Sequence, residues 1–84
     1  MYQRVKKQQR RTVGTSSTLR AIERDRISEV YIARDVDRHV LNPVIAICKE
    51  KGVKINWVDC QGALGAACGM KLATSTVGFL RDDV

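Results

Sequence analysis

The stretch Gly14-Thr15-Ser16-Ser17-Thr18-Leu19-Arg20 gathers residue types suited to holding an anion or the edge of a base. Thr12-Val13, a β-branched pair, runs into Gly14, and Leu19-Arg20-Ala21-Ile22-Glu23-Arg24 can continue as a helix. Glycine lets the backbone turn tightly and approach whatever it faces. Ser and Thr are favoured at helix N-caps because their oxygens accept from the free N–H groups of the first turn. A strand feeding such a turn presents a helix N-terminus, with unpaired donors and a partial positive charge, to a phosphate or a base. Arg20, one turn further on, can reach the same partner. An ordinary capped surface helix has the same local pattern, so the rest of the chain must separate the two.

Other chemistries find less support. The chain has Ser, Cys, Asp and a single His, but no nucleophile–base spacing and no phosphate loop, so an enzyme is not expected. Cys48, Cys60 and Cys68 form no C-x-x-C pair, and with one histidine a zinc site is not expected either. Free buried thiols in a reducing cytoplasm, with no metal and no cofactor, are the expected state. Gly62, Gly65 and Gly69 lie within and after a helical segment, not between a strand and a helix, so they are not a dinucleotide fingerprint.

Charge placement favours a polyanion. The formal charge is +6 over 84 residues, and residues 1–22 contain Arg4, Lys6, Lys7, Arg10, Arg11 and Arg20 without a single acid. The rest of the chain is neutral, so the whole excess lies on or beside the Gly14 stretch and concentrates attraction there. A basic solubilising tail is the bland alternative. A 44% hydrophobic and 29% charged composition fits one globular domain spanning 1–84. No apolar run approaches the roughly 18 residues of a membrane span, and no hydrophobic region follows the basic N-terminus as in a secretory signal. A cytoplasmic monomer with no membrane contact is expected.

The elements that must position these residues follow from periodicity. Tyr2 to Gln9 favours helix, and Arg10 to Val13 reads as a short strand. A helix is expected over Ser16–Arg24, with Leu19 and Ile22 on one face. Val30–Ala33 is continuously apolar, as a central strand covered on both faces would be. Arg34-Asp35-Val36-Asp37-Arg38-His39 is a polar crossing that Asp35 can cap, with His39 solvated. Asn42 before Pro43 reads as an N-cap, predicting a helix over Asn42–Lys51 that ends at Gly52. Lys54–Val58 alternates as a strand, and Asp59 can cap a helix to Cys68 that Gly69 closes. Met70 to Thr74 is a loop whose apolar side chains have no period, and Thr76–Leu80 is a last strand before a frayed end. Helix alternating with strand throughout predicts an α/β sandwich with a small, mostly buried sheet.

Leu64-Gly65-Ala66-Ala67-Cys68-Gly69, preceded by Val30-Tyr31-Ile32-Ala33-Arg34-Asp35 and Lys49-Glu50-Lys51 at matching distances, resembles the L7Ae family of ribosomal and kink-turn-binding RNA proteins. The likeness runs from about Val5 to Leu80 and is greatest to the small bacterial YbxF-type members. It implies a single-domain three-layer α-β-α sandwich with a four-stranded mixed sheet. It also implies binding to a structured RNA with a kink-turn, such as ribosomal RNA, a riboswitch or another leader. In the family, residues after the loop glycine enter the widened major groove at tandem sheared G·A pairs. Those positions are Thr15, Ser16, Ser17 and Thr18 after Gly14, with Arg20 where the family places a lysine. The family's acidic contact to an extruded base falls on Asp37, and a polar contact at the start of its fourth helix on Gln61. The loop from Met70 through Lys71, Leu72 and Ala73 to Thr74 would supply the surface on which that base rests.

Ser16-Ser17 stands where the family typically carries Asn-Glu. A serine hydroxyl is short, whereas a good bidentate contact is worth about 1–3 kcal/mol of base discrimination. Weaker affinity or sequence preference is therefore expected, with phosphate attraction from Arg10, Arg11 and Arg20 retained. Taken alone, Met70 and Leu72 also suit plain core or crevice positions. The rival function is a protein–protein module using the Met70–Ala73 loop, with weak non-specific RNA binding.

Overall fold

A computed structural model of the chain describes residues 11–69 and 71–81. Its element order is β1 (Arg11–Val13), α1 (Thr15–Glu23), β2 (Ile27–Ala33), α2 (Arg38–Lys51), β3 (Lys54–Val58), α3 (Gln61–Ala67) and β4 (Thr76–Leu80). The expected helix over Tyr2 to Gln9 lies outside the described residues, as do Arg10, Met70 and the last three positions.

The four strands form one mixed sheet in the order β1-β4-β2-β3. β2 pairs parallel with β3 and antiparallel with β4, and β1 closes the far edge antiparallel to β4. The apolar run of β2 thus lies between two neighbours, and its side chains alternate between two cores. Val30 and Ile32 point to one face, against Ala21 and Ile22 of α1 and Leu41, Val44 and Cys48 of α2. Tyr31 and Ala33 point to the other, against Leu64 and Cys68 around α3 and Val77 and Phe79 of β4. Tyr31 and Phe79 meet edge to face, ring centres 5.4 Å apart. The result is the expected three-layer α-β-α sandwich, with α1 and α2 on one face and α3 on the other. Among the described residues no helix is long and apolar enough to cross a membrane.

α1 lies one residue before the expected Ser16–Arg24 at both ends, and two further helix starts differ from expectation. α2 begins at Arg38, not Asn42, and Pro43 lies inside it. Its cap is Asp37, whose Oδ1 accepts from the His39 N–H at 2.7 Å. The buried stripe Leu41, Val44 and Cys48 starts before the proline, so packing holds helical geometry across a residue that removes one helix hydrogen bond. α3 begins at Gln61, and Asp59 is not its cap. The Cys60 Sγ accepts from the Ala63 N–H at 3.4 Å, and Asp35 of the crossing accepts from the Gln61 N–H at 3.0 Å. A carboxylate brought in by tertiary structure fills the role that the local sequence gave to Asp59.

The three thiols are free, as expected, but only Cys48 and Cys68 are buried, while Cys60 is half-exposed. Burial pushes the Cys48 thiol up to about 11. The unfolded chain releases that proton nearer its ordinary value of 9.0, so the stabilisation from Cys48 is complete below pH 9 and is lost as pH rises towards 11. Accordingly, a thiol reagent at pH 8 is expected to label Cys60 well before Cys48. Mass spectrometry of partly labelled protein checks this, and equal labelling would contradict the packing of α2.

Candidate nucleic-acid interface

Gly14 joins β1 to α1 with φ of +93°, a conformation that L side chains rarely adopt. Its N–H donates to the Thr76 carbonyl at 2.8 Å, and its own carbonyl accepts from the Thr18 N–H at 3.2 Å. Gly14 is itself the N-cap of α1, and no side chain caps the helix. The hydroxyls expected to cap it do other work. Thr18 is 0% exposed and its Oγ1 lies 2.9 Å from that of Thr12, tying α1 to β1. Thr15 Oγ1 lies 3.1 Å from Ser75 Oγ, tying α1 to the loop before β4. Thr15 and Thr18, one turn apart, therefore position the helix, and the buried Thr18 side chain cannot touch a ligand. Ser16, Ser17 and Arg20 are exposed. At spacings of three and four residues they share one face, and side chains on a helix tend to lean towards its N-terminus. First-turn donors, two small hydroxyls and a cation thus occupy one surface.

The other site residues converge on the same end of the sheet through the backbone. Ala33, the last residue of β2, donates to the Ser75 carbonyl at 3.0 Å, and Thr74 donates to the Gln61 carbonyl at 3.3 Å. Asp35 joins the start of α3 to the β2–α2 crossing, and Asp37 follows two residues on. The loop after α3 is seated on Gly65, where a Cβ would overlap the Leu72 carbonyl oxygen and lie 3.2 Å from the Ala73 Cα. With its backbone pinned there, the loop turns Lys71, Leu72 and Ala73 outward, and Leu72 is 77% exposed. Leu72 is therefore neither core nor crevice. Met70 lies outside the described residues.

Some expected site residues have partners that redefine them. Asp37 spends one carboxylate oxygen capping α2, leaving the other for a ligand. Gln61 is half-buried at the first position of α3, its main chain engaged on both sides. Arg11, expected to add phosphate attraction, is half-buried and donates to the Cys68 carbonyl at 3.1 Å, so its charge lies at the C-terminal end of α3. Burial raises the Cys68 thiol, and the Arg11 charge partly offsets this.

The structure also adds residues that sequence periodicity did not single out. Arg34 and Arg38 flank Asp35 and Asp37, and the Arg34 guanidinium lies 5.8 Å from the Trp57 ring centre. The alternation of β3 sets Trp57 on the face of Ile55, and an arginine directly after the paired strand was the available signal. Among the described residues no group of three or more His, Cys, Asp or Glu side chains comes together as a metal site would require.

The order and packing of these elements occur in a known fold. Residues 1–83 match the profile of the Ribosomal protein L7Ae/L30e/S12e/Gadd45 family. The chain belongs to that family. Among its relatives in the family, an RNA-binding protein of Caldanaerobacter subterraneus subsp. tengcongensis is 37% identical over 67 residues, covering 80% of this chain and 82% of the relative. The RNA-binding protein YbxF of Geobacillus stearothermophilus is 31% identical over 80 residues, covering 95% and 98%. A solved structure, the 15.5kD RNA binding protein of Giardia lamblia, superposes with a TM-score of 0.86 at 24% identity, covering 98% of this chain and 69% of that one. At that identity the likeness is one of fold.

Proposed function

We propose that this family member binds structured RNA and reads a kink-turn through its tandem sheared G·A pairs. The observation that carries the proposal is the pairing of an α1 N-terminus without a side-chain cap, bearing exposed Ser16, Ser17 and Arg20, with the outward-facing Lys71–Ala73 loop. Irregular RNA is recognised through shape, splayed bases and stacking. A helix end offering N–H donors suits the bent groove, and the apolar loop beside it suits an extruded base. Asp37 retains one carboxylate oxygen for that base, and Gln61 stands at the adjacent helix start. The relatives named as RNA-binding proteins support the same partner class. The RNA is ribosomal or a riboswitch, and the protein acts on it as a cytoplasmic monomer.

The test compares a kink-turn RNA with a duplex of equal length, each titrated across salt. The kink-turn RNA is expected to bind tighter, with affinity falling steeply as salt rises because phosphate contacts release counterions. Arg20→Ala should reduce that salt slope by about one contact. Arg81→Ala, on the far side, should not, because Arg81 bonds the Asp25 carbonyl. Equal effects would mean diffuse attraction without a site. The exposure of Leu72 also suits a protein contact. That reading predicts little salt dependence and no preference for the bend.

A further inference from the structure

We propose that the groove between the end of β3 and the start of α2 binds an unpaired nucleotide of the RNA strand leaving the kink, with its base stacked on Trp57 and its phosphate held by Arg34 and Arg38. The groove has a volume of about 340 Å³ and is lined by Arg34, Val36, Arg38, Leu41 and Trp57. It rests on the preceding reading for the presence of RNA at this end of the molecule, and adds a contact outside the Gly14 junction.

Three observations favour a nucleotide over other occupants. First, Trp57 is 40% exposed on the edge strand, although a large indole in a sandwich this small would ordinarily be drawn into the core. Its ring is a sequence-tolerant platform for a base. Second, the guanidinium of Arg34 lies near the outer limit for a cation–π contact, so it shields the ring loosely and can stack against or beside an arriving base. Third, the arginines of the crossing are not paired with its aspartates. Arg34-Asp35-Val36-Asp37-Arg38 could pair its charges internally, yet Asp35 caps α3 and Asp37 caps α2. Among the described residues the ion pair found joins Lys51 to Asp25, and none of their carboxylates lies at salt-bridge distance from Arg34 or Arg38. Two arginines flanking an exposed aromatic complement a phosphate and a base together, whereas an apolar protein segment would leave both cations to be desolvated. The groove adjoins the proposed interface through Val36, which lies between the two capping aspartates.

Trp57 is the chain's single tryptophan, so its fluorescence reports on the groove directly. The full-length protein is titrated with hexaadenylate, and then with a kink-turn RNA that is either blunt or carries a single-stranded adenosine extension. Hexaadenylate is expected to quench Trp57, and the extension to tighten binding about fivefold or more, as one stacked base would. Trp57→Ala should abolish the gain from the extension and Trp57→Phe retain most of it, while Arg38→Gln should reduce it. Blunt and extended RNA bound alike, with Trp57 unquenched, would overturn the groove as a nucleotide site even if kink-turn preference were intact. That is also the result a protein-docking groove gives. Quenching by hexaadenylate in a protein that does not distinguish kink-turn from duplex would sustain the groove and overturn the kink-turn reading instead.

Discussion

Gly65→Ala is expected to destabilise the fold by about 1–3 kcal/mol, as overpacking does, and to weaken kink-turn RNA binding about tenfold. The added Cβ would overlap the Leu72 carbonyl oxygen and come within 3.1 Å of its carbon. Both are backbone atoms, so no rotamer change relieves the contact and the loop itself must move. That loop carries Lys71, Leu72 and Ala73 outward and is tied through Thr74 to the start of α3. Displacing it disturbs the site as well as the core. Gly62→Ala in the same helix is the matched control, because its Cβ would meet nothing nearer than the Cys60 Sγ at 4.0 Å. Alanine there removes glycine's entropic cost in a helix and should stabilise by about 0.5–1 kcal/mol. Urea unfolding and RNA titration of both variants check the pair. Equal behaviour would mean that α3 does not support the loop.

The second large effect is a gain. Ser16→Asn combined with Ser17→Glu places long, directional groups where two short hydroxyls now stand. Each good bidentate base contact adds discrimination of about 1–3 kcal/mol. The added carboxylate meanwhile opposes the basic field and repels phosphate. A protein held only by charge should therefore lose affinity for all RNA, while a base reader should gain preference for intact sheared G·A pairs. Arg20→Ala in the doubly substituted background then separates the phosphate contribution from base reading. No change in preference would place base recognition outside α1.

Much of this architecture is legible in local pattern. The continuous apolar run of Val30–Ala33 fixed the central strand, and Lys54–Val58 and Thr76–Leu80 matched their expected bounds. β2 starts earlier, at Ile27, because Ile27 pairs with Leu80 across a register shift that no local pattern signals. Pro43 misdirected the start of α2, since the buried stripe that overrides it is a tertiary fact. The Gly14 turn was legible, yet the division of labour after it was not. Which hydroxyl is buried depends on Thr12, Ser75 and Thr76, the last two just before and at the start of β4, some sixty residues away. The diversion of Asp35 and Asp37 into helix caps, which frees Arg34 and Arg38, likewise needs α3 and α2 in place.

The central claim is that the Gly14–Arg20 helix end reads sheared G·A pairs in bent RNA. The most direct measurement is the affinity ratio of the native protein for a kink-turn RNA and for the same RNA with those pairs made Watson–Crick, taken at one fixed salt. The native chain is expected to give a ratio above one that rises in the Ser16→Asn, Ser17→Glu protein and falls in Gly65→Ala. A ratio of one in all three proteins would contradict the claim.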